Sequence, residues 1–88
     1  MEKMQKINQI LENIKTDIKN YYIGTAIADK RKELGLSVEE TSLYLNINPM
    51  ELTLLETGEK EITPEILYKL SLLFNVKVSS FFYMLNNF

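Results

Sequence analysis

Apolar residues recur at alternating intervals of three and four along the first 21 residues of the chain. Ile10 widens this stripe, which otherwise consists of Met4, Ile7, Leu11, Ile14, Ile18 and Tyr21. The spacing is typical of an α-helix with one apolar face, and it is also the heptad spacing of a coiled coil. Residues 1–22 are therefore predicted to form an amphipathic helix.

A helix with a single apolar stripe needs a surface against which that stripe is buried. Three heptads are too few to hold a coiled coil alone. Two arrangements remain open: the helix folds back onto its own domain, or it pairs with a second copy of the chain. In the second arrangement the contact residues are Ile7, Leu11, Ile14 and Ile18.

Residues 37–45 begin a second helical pattern. Ser37 with Glu40 three positions later is a capping box, because each side chain can satisfy a backbone N–H of the other residue. A helix is therefore expected from about Val38, with Thr41, Ser42 and Leu45 facing inward. Ser42 is small enough to let another helix cross closely.

A tight turn and a third helix follow. Asn46 stands where the chain must reverse, and Asn tolerates a left-handed backbone better than most residues. Asn48 and Pro49 restart a helix as N-cap and first residue. The inward residues of that helix and its terminator are predicted to be Leu52, Leu55 and Gly58. Two short helices that cross at a small residue form a helix-turn-helix pattern.

Further helices are expected on either side of this pair. Residues 22–34 read as a helix with Ile23, Ile27 and Leu34 facing inward, ended by a Schellman cap at Gly35. Thr63 is predicted to cap another helix. Ser79 or Ser80 is expected to cap the last one, which is rich in aromatic residues.

Two runs carry a family resemblance: IGTAIADKRKELGLSVEETSLYLNI from residue 23 and LLETGEKEITPEILYKLSLLFNVKVSSFF from residue 54. From residue 23 to residue 82 the chain resembles the lambda-repressor-like family of Cro/C1 type, also called the XRE family. The resemblance implies an all-α fold, a five-helix lambda-repressor-like DNA-binding domain over residues 23–88. The extra amphipathic helix over residues 1–22 would precede it.

The resemblance also implies a function and its residues. Most such domains are sequence-specific DNA-binding regulators, repressor-like and homodimeric, with double-stranded operator DNA as partner. Val38 matches the position that anchors a phosphate, and Lys60 is the nearest candidate for a second phosphate contact. The positions facing the major groove would be Asn48, Pro49, Met50, Glu51, Thr53 and Leu54. Arg31 and Glu56 match a structural ion pair of the family.

Charge complicates this interpretation. The net charge is −2, and the segment 36–59 contains no basic residue, whereas its acidic residues are Glu39, Glu40, Glu51, Glu56 and Glu59. Nucleic-acid binders normally carry excess Lys and Arg on the binding face. An alternative is therefore a helix-turn-helix used for protein–protein interaction, as an antirepressor, an antitoxin-like partner or an adaptor.

Composition narrows the remaining chemistry. The chain has no Cys and no His, so we expect no metal site and no cofactor, and an enzyme is disfavoured. No apolar run is long enough to span a membrane, so we expect a cytoplasmic protein without membrane contact. The aromatic C-terminus is expected to fill the core and to offer further dimer contacts at Phe82, Leu85 and Phe88.

Overall fold

The structure is a computed structural model that describes residues 2–87, with side chains described for residues 6–10, 12 and 15–82. Four α-helices and a C-terminal 3₁₀ helix follow one another along this part of the chain, which contains no strand: α1 Glu2–Glu33, α2 Val38–Leu45, α3 Pro49–Thr57, α4 Pro64–Phe74 and the 3₁₀ helix Val78–Asn87. The all-α prediction is confirmed.

The first helix differs from the expected organisation. The two helices expected over residues 1–22 and 22–34 form a single helix, because α1 runs without interruption for 32 residues. Gly24 does not break the helix; instead it permits close packing. A Cβ atom at Gly24 would lie 2.6 Å from the carbonyl oxygen of Glu56 and closer still to that of Leu55. Helix α1 is therefore about 48 Å long, and it accounts for the longest dimension of the molecule, 50 Å.

Only the C-terminal part of α1 belongs to the core. Ile23 and Ile27 are buried, whereas every described side chain from residue 6 to residue 19 is exposed. The arrangement in which the N-terminal helix folds back onto its own domain is therefore wrong for the described residues. Helix α1 continues without a break through residues 20–24, so the chain does not reverse direction there.

The helix ends match the expected capping chemistry. Glu40 N donates to Ser37 Oγ at 2.9 Å, and Ser37 N donates to the Glu40 carboxylate at 3.1 Å. This second hydrogen bond lowers the pKa of Glu40 below its ordinary value. Asn46 and Gly58, which end α2 and α3, both adopt left-handed backbones with φ of 58° and 82°. These caps confirm the predicted turn between α2 and α3.

The core forms between all four α-helices and the 3₁₀ helix of the described chain. Its buried apolar residues are Ile23, Ile27, Leu45, Leu52, Leu55, Leu67, Leu70, Phe74 and Phe81. One inward assignment is wrong, because Leu34 remains 45% exposed. It lies past the last residue of α1, where the chain turns at Gly35, and Arg31 takes the inward position one turn earlier.

The C-terminal segment closes one side of this core. Phe81 is buried, and its ring centroid lies 6.2 Å from that of Phe74. Phe82 is half-buried against the same core. The last element is a 3₁₀ helix rather than an expected α-helix beginning at Ser79 or Ser80. The predicted contacts at Leu85 and Phe88 lie outside the described side chains.

No helix in the described part of the chain is both long and apolar enough to cross a membrane.

Thr41 generates a test of the core. Its Oγ1 atom is fully buried and has no hydrogen-bond partner among the described residues. Because an unsatisfied buried hydroxyl is destabilising, Thr41→Val should raise the free energy of unfolding by about 1 kcal/mol. Thr53→Val is the matched control, since Thr53 is exposed and donates to the Pro49 carbonyl at 3.1 Å. Urea denaturation of both variants measures the difference, and a destabilised Thr41→Val would contradict this assignment.

Candidate nucleic-acid interface

Helices α2 and α3 pack as a helix-turn-helix unit. The side chains of Thr41 and Ser42 are buried at 0% and 2% exposure, so small residues occupy the inner side of α2 facing the core. The chain reverses through Asn46, whose N–H and that of Ile47 return to carbonyls of α2. Helix α3 then begins at Pro49, within four residues of the end of α2.

The direction of α3 relative to α1 follows from two close approaches. A Cβ at Gly58, just after α3, would lie 2.8 Å from Tyr21 Cα. Gly24 meets the backbone of Leu55 and Glu56. Later residues of α1 therefore meet earlier residues of α3, so the two helices run in roughly opposite directions. The N-terminus of α3 is directed away from the exposed half of α1.

Most of the predicted groove-facing residues gather around one shallow depression at the start of α3. The depression has a volume of about 420 Å³ and is lined by Asn48, Pro49, Met50, Glu51, Leu54 and Lys60. Met50 is the most exposed apolar side chain of this group, at 67%. These six residues therefore form one continuous surface, which we call the α3 face.

Two predicted residues stand apart from the α3 face. Thr53 is exposed on α3, but its hydroxyl donates to the Pro49 carbonyl. Val38 is half-buried, and its side chain packs against the core. At the phosphate-anchor position only the backbone of Val38 remains, at the positive end of α2, where N–H groups favour an anion.

Asn48 serves the helix itself. Its Oδ1 accepts from Glu51 N at 2.7 Å, which caps α3. The side-chain carbonyl is therefore committed to the protein, and only the amide nitrogen of Asn48 can donate to a ligand. The side chain of Asn48 therefore stabilises the start of α3.

An ion pair crosses the α3 face. The Lys60 ammonium group contacts the Glu51 carboxylate, although the two residues are nine positions apart. The turn at Gly58 brings them together, because Glu59 N and Lys60 N both donate to the Leu54 carbonyl. Sequence reasoning missed this pair. The sequence feature that could have predicted this pair is a lysine two residues after the C-cap glycine, because the chain folds back along α3 there.

Arg31 and Glu56 tie α1 to α3. Arg31 Nε and its neighbouring amino group donate to the two Glu56 oxygens at 2.7 and 3.0 Å. The remaining amino group donates to the Leu36 carbonyl at 2.9 Å. The side chains of Arg31 and Glu56 are only 9% and 10% exposed. Hydrogen bonding to Glu56 raises the pKa of Arg31 above its ordinary value.

These pairs change the charge of the helix-turn-helix segment. Arg31 and Lys60 lie outside residues 36–59 in the sequence, yet in the structure they neutralise Glu56 and Glu51. Glu39, Glu40 and Glu59 remain as acidic side chains on exposed positions. The segment is therefore less acidic in the fold than its composition indicates.

The predicted dimer residues fall into three groups. Ile7 and Ile18 are 52% and 42% exposed on α1, so they are accessible. Phe82 is half-buried in its own core and contributes only part of its surface. Leu11, Ile14, Leu85 and Phe88 lie outside the described side chains.

This geometry defines a helix-turn-helix domain. The sequence profile of the helix-turn-helix family HTH_3 matches residues 27–81, which is more than half of the chain. The chain belongs to this family, which is of the Cro/C1 type and comprises non-enzymatic DNA-binding proteins. No curated protein matches the chain.

Solved structures have the same fold. A crystal structure of the clp gene regulator ClgR from Corynebacterium glutamicum is similar with a TM-score of 0.70 and 23% identity, over 74% of this chain and 84% of that chain. A second ClgR crystal structure gives a TM-score of 0.71 and 23% identity, over 74% and 69%. The crystal structure of an HTH_3 family transcriptional regulator from Vibrio cholerae is similar with a TM-score of 0.69 and 25% identity. The match covers 77% of this chain and 38% of that chain.

The buried ion pair generates a stability prediction. Glu56→Ala leaves the Arg31 guanidinium buried without its counterion, so the free energy of unfolding should fall by about 3 kcal/mol. Glu65→Ala is the matched control, because Glu65 is 77% exposed and pairs with Lys69 at 3.3 Å. That change should stay within about 0.5 kcal/mol. Urea denaturation followed by circular dichroism measures both, and equal effects would show that the buried pair adds nothing.

Proposed function

We propose that the protein is a sequence-specific DNA-binding transcriptional regulator of the repressor type that acts as a homodimer. The N-terminal half of α3 would enter the major groove, and the N-terminus of α2 would meet a phosphate. The observation that carries this proposal is the exposed α3 face on a helix-turn-helix scaffold. The similarity of the fold to those of the clp gene regulator ClgR and of the regulator from Vibrio cholerae supports it.

Base reading would fall to few side chains. The Glu51 carboxylate can accept a hydrogen bond from the amino group of a cytosine, and Met50 or Leu54 can contact a thymine methyl group. The α3 face therefore suits a site read by one polar contact and a small apolar patch.

Phosphate binding requires an exchange of partners at Lys60. In the free protein its ammonium group contacts Glu51. On DNA, Lys60 would turn to a phosphate, and Glu51 would be free to accept from a base. A wrong base leaves the carboxylate unpaired beside the phosphates, so the ion pair opposes binding to unrelated sequences.

The exchange predicts opposite effects at the two residues. Glu51→Gln releases Lys60 and removes a negative charge, so random DNA should bind roughly fivefold more tightly at low salt. The slope of log K against log salt should also steepen by about 0.9. Lys60→Gln should weaken binding to all sequences alike. Fluorescence anisotropy over a salt series measures these changes.

The control for this experiment lies at the far end of α1. Lys15→Gln removes one positive charge, as Lys60→Gln does, but at an exposed residue whose described ion pair is with its neighbour Glu12. It should leave DNA affinity and salt dependence unaltered. If the wild-type protein forms no complex at low salt, either with random DNA or with the DNA upstream of its own gene, the DNA-binding proposal fails.

A protein-binding role is the second candidate, supported by the exposure of Met50 on the α3 face. The α3 face would then dock a basic partner or another regulator. Leu54→Glu places a charge in the depression without entering the buried core, since Leu54 is half-buried. Recovery of one specific protein by the wild type but not by Leu54→Glu, in nuclease-treated extract, would favour this role. Recovery of nucleic acid alone in untreated extract favours the first.

A further inference from the structure

The N-terminal half of α1 carries an apolar stripe that its own domain does not cover. Four described residues on this stripe are exposed by 42–57% of their surface: Ile7, Ile10, Ile18 and Tyr21. The sequence places Leu11 and Ile14 at the intervening heptad positions. We call positions 7–21 on this side the α1 stripe.

The α1 stripe and the core-facing side of α1 point in different directions. At 3.6 residues per turn, the mean direction of Ile7, Ile18 and their stripe neighbours lies roughly 170° around the helix from that of the core residues Ile23 and Ile27. Helix α3 meets α1 at Asn20, Tyr21 and Gly24, whereas the described side chains from residue 6 to residue 19 are exposed. Another helix can therefore approach positions 7–18 of the stripe without colliding with α3.

The heptad spacing indicates what covers the stripe. Knobs-into-holes packing over such a repeat requires a partner helix with the same repeat, and a second copy of the chain supplies one by symmetry. No acidic or basic residue lies on the seam positions between 7 and 21, whereas Glu12, Lys15, Asp17 and Lys19 lie off them. Each copy therefore meets apolar positions of the other without burying a charge.

The direction of pairing follows from where the α3 face lies. Four residues separate the end of α1 from the start of α2, and α3 has its C-terminus against Tyr21. The N-termini of α2 and α3 are therefore at the C-terminal end of α1, away from the stripe. In an antiparallel pair these ends would point in opposite directions, and one DNA duplex could not engage both.

We propose that the α1 stripes of two copies pair in parallel, so that a two-fold axis runs along the α1 pair and both α3 faces emerge at the same end. The choice of direction rests on the proposed DNA-binding function, whereas the pairing rests on the stripe itself. The paired helices would act as a stalk that holds two α3 faces for adjacent major grooves. Half-sites one helical turn apart, about 34 Å, fit this arrangement.

Cysteine cross-linking tests the pairing directly, because the chain contains no cysteine of its own. Ile7→Cys and Ile18→Cys are each purified as the full chain and oxidised with diamide. A parallel pair brings each residue against its own copy, so each variant alone should form a disulfide-linked dimer. Gln9→Cys is the matched control on the same helix, exposed but on the opposite side, and it should remain monomeric under denaturing electrophoresis.

Other results would overturn the proposal. An antiparallel seam would link Ile7→Cys to Ile18→Cys in a mixture of the two variants but neither variant to itself. Equal linking of Gln9→Cys would indicate random collision. A monomeric mass in sedimentation equilibrium, without cross-links, would exclude the seam altogether.

The experiment separates this inference from the function on which its direction rests. Cross-linking is carried out without DNA, and the linked Ile7→Cys dimer is then tested in a gel shift. A linked dimer that binds DNA supports both proposals. Self-linking without DNA binding supports the parallel seam and refutes the regulator function, whereas DNA binding without self-linking refutes the seam alone.

Discussion

The close crossing of α1 and α3 is the constraint on which the rest of the structure depends. Gly24 brings the two backbones together, and a few residues further along α1 Arg31 makes a bidentate ion pair with Glu56. The same guanidinium also holds the Leu36 carbonyl in the turn before α2. One buried side chain therefore sets the position of α3 and of the turn into α2. Because both partners are almost fully removed from water, the geometry must be kept for the charges to be tolerated.

This crossing divides α1 into two parts with different surroundings. From Ile23 onward the helix contributes residues to the core, and before Asn20 its described side chains are exposed. The continuous helix makes the two parts rigid with respect to each other. The α3 face therefore has a defined direction relative to the α1 stripe, about half a turn away around the helix and at its opposite end. Pairing of the α1 stripes of two copies would therefore fix the relative orientation of their α3 faces.

The α3 face itself has an unusual charge balance for a nucleic-acid binder. Tertiary contacts neutralise part of the acidity of residues 36–59, through Arg31 on one side and Lys60 on the other. Yet both cations are then occupied, so electrostatic attraction to a duplex is weak before binding. Affinity would depend on the exchange of Lys60 from Glu51 to phosphate and on two copies acting together. Such a protein would release unrelated DNA easily and hold a matching site by the sum of two modest contacts.

The sequence by itself determined the local structure, because caps and helix periods depend on residues close along the chain. The capping residues were enough to predict α2, α3 and the turn between them: Ser37 with Glu40, Asn46, Asn48 with Pro49, and Gly58. A known family pattern pointed to the pairing of Arg31 with Glu56. Only the tertiary structure decided the continuity of α1, the exposure of Leu34 and the contact between Lys60 and Glu51. Each of these depends on what lies opposite a residue in space: a glycine can remain helical where another backbone presses against it, and two charges meet only after the chain has turned.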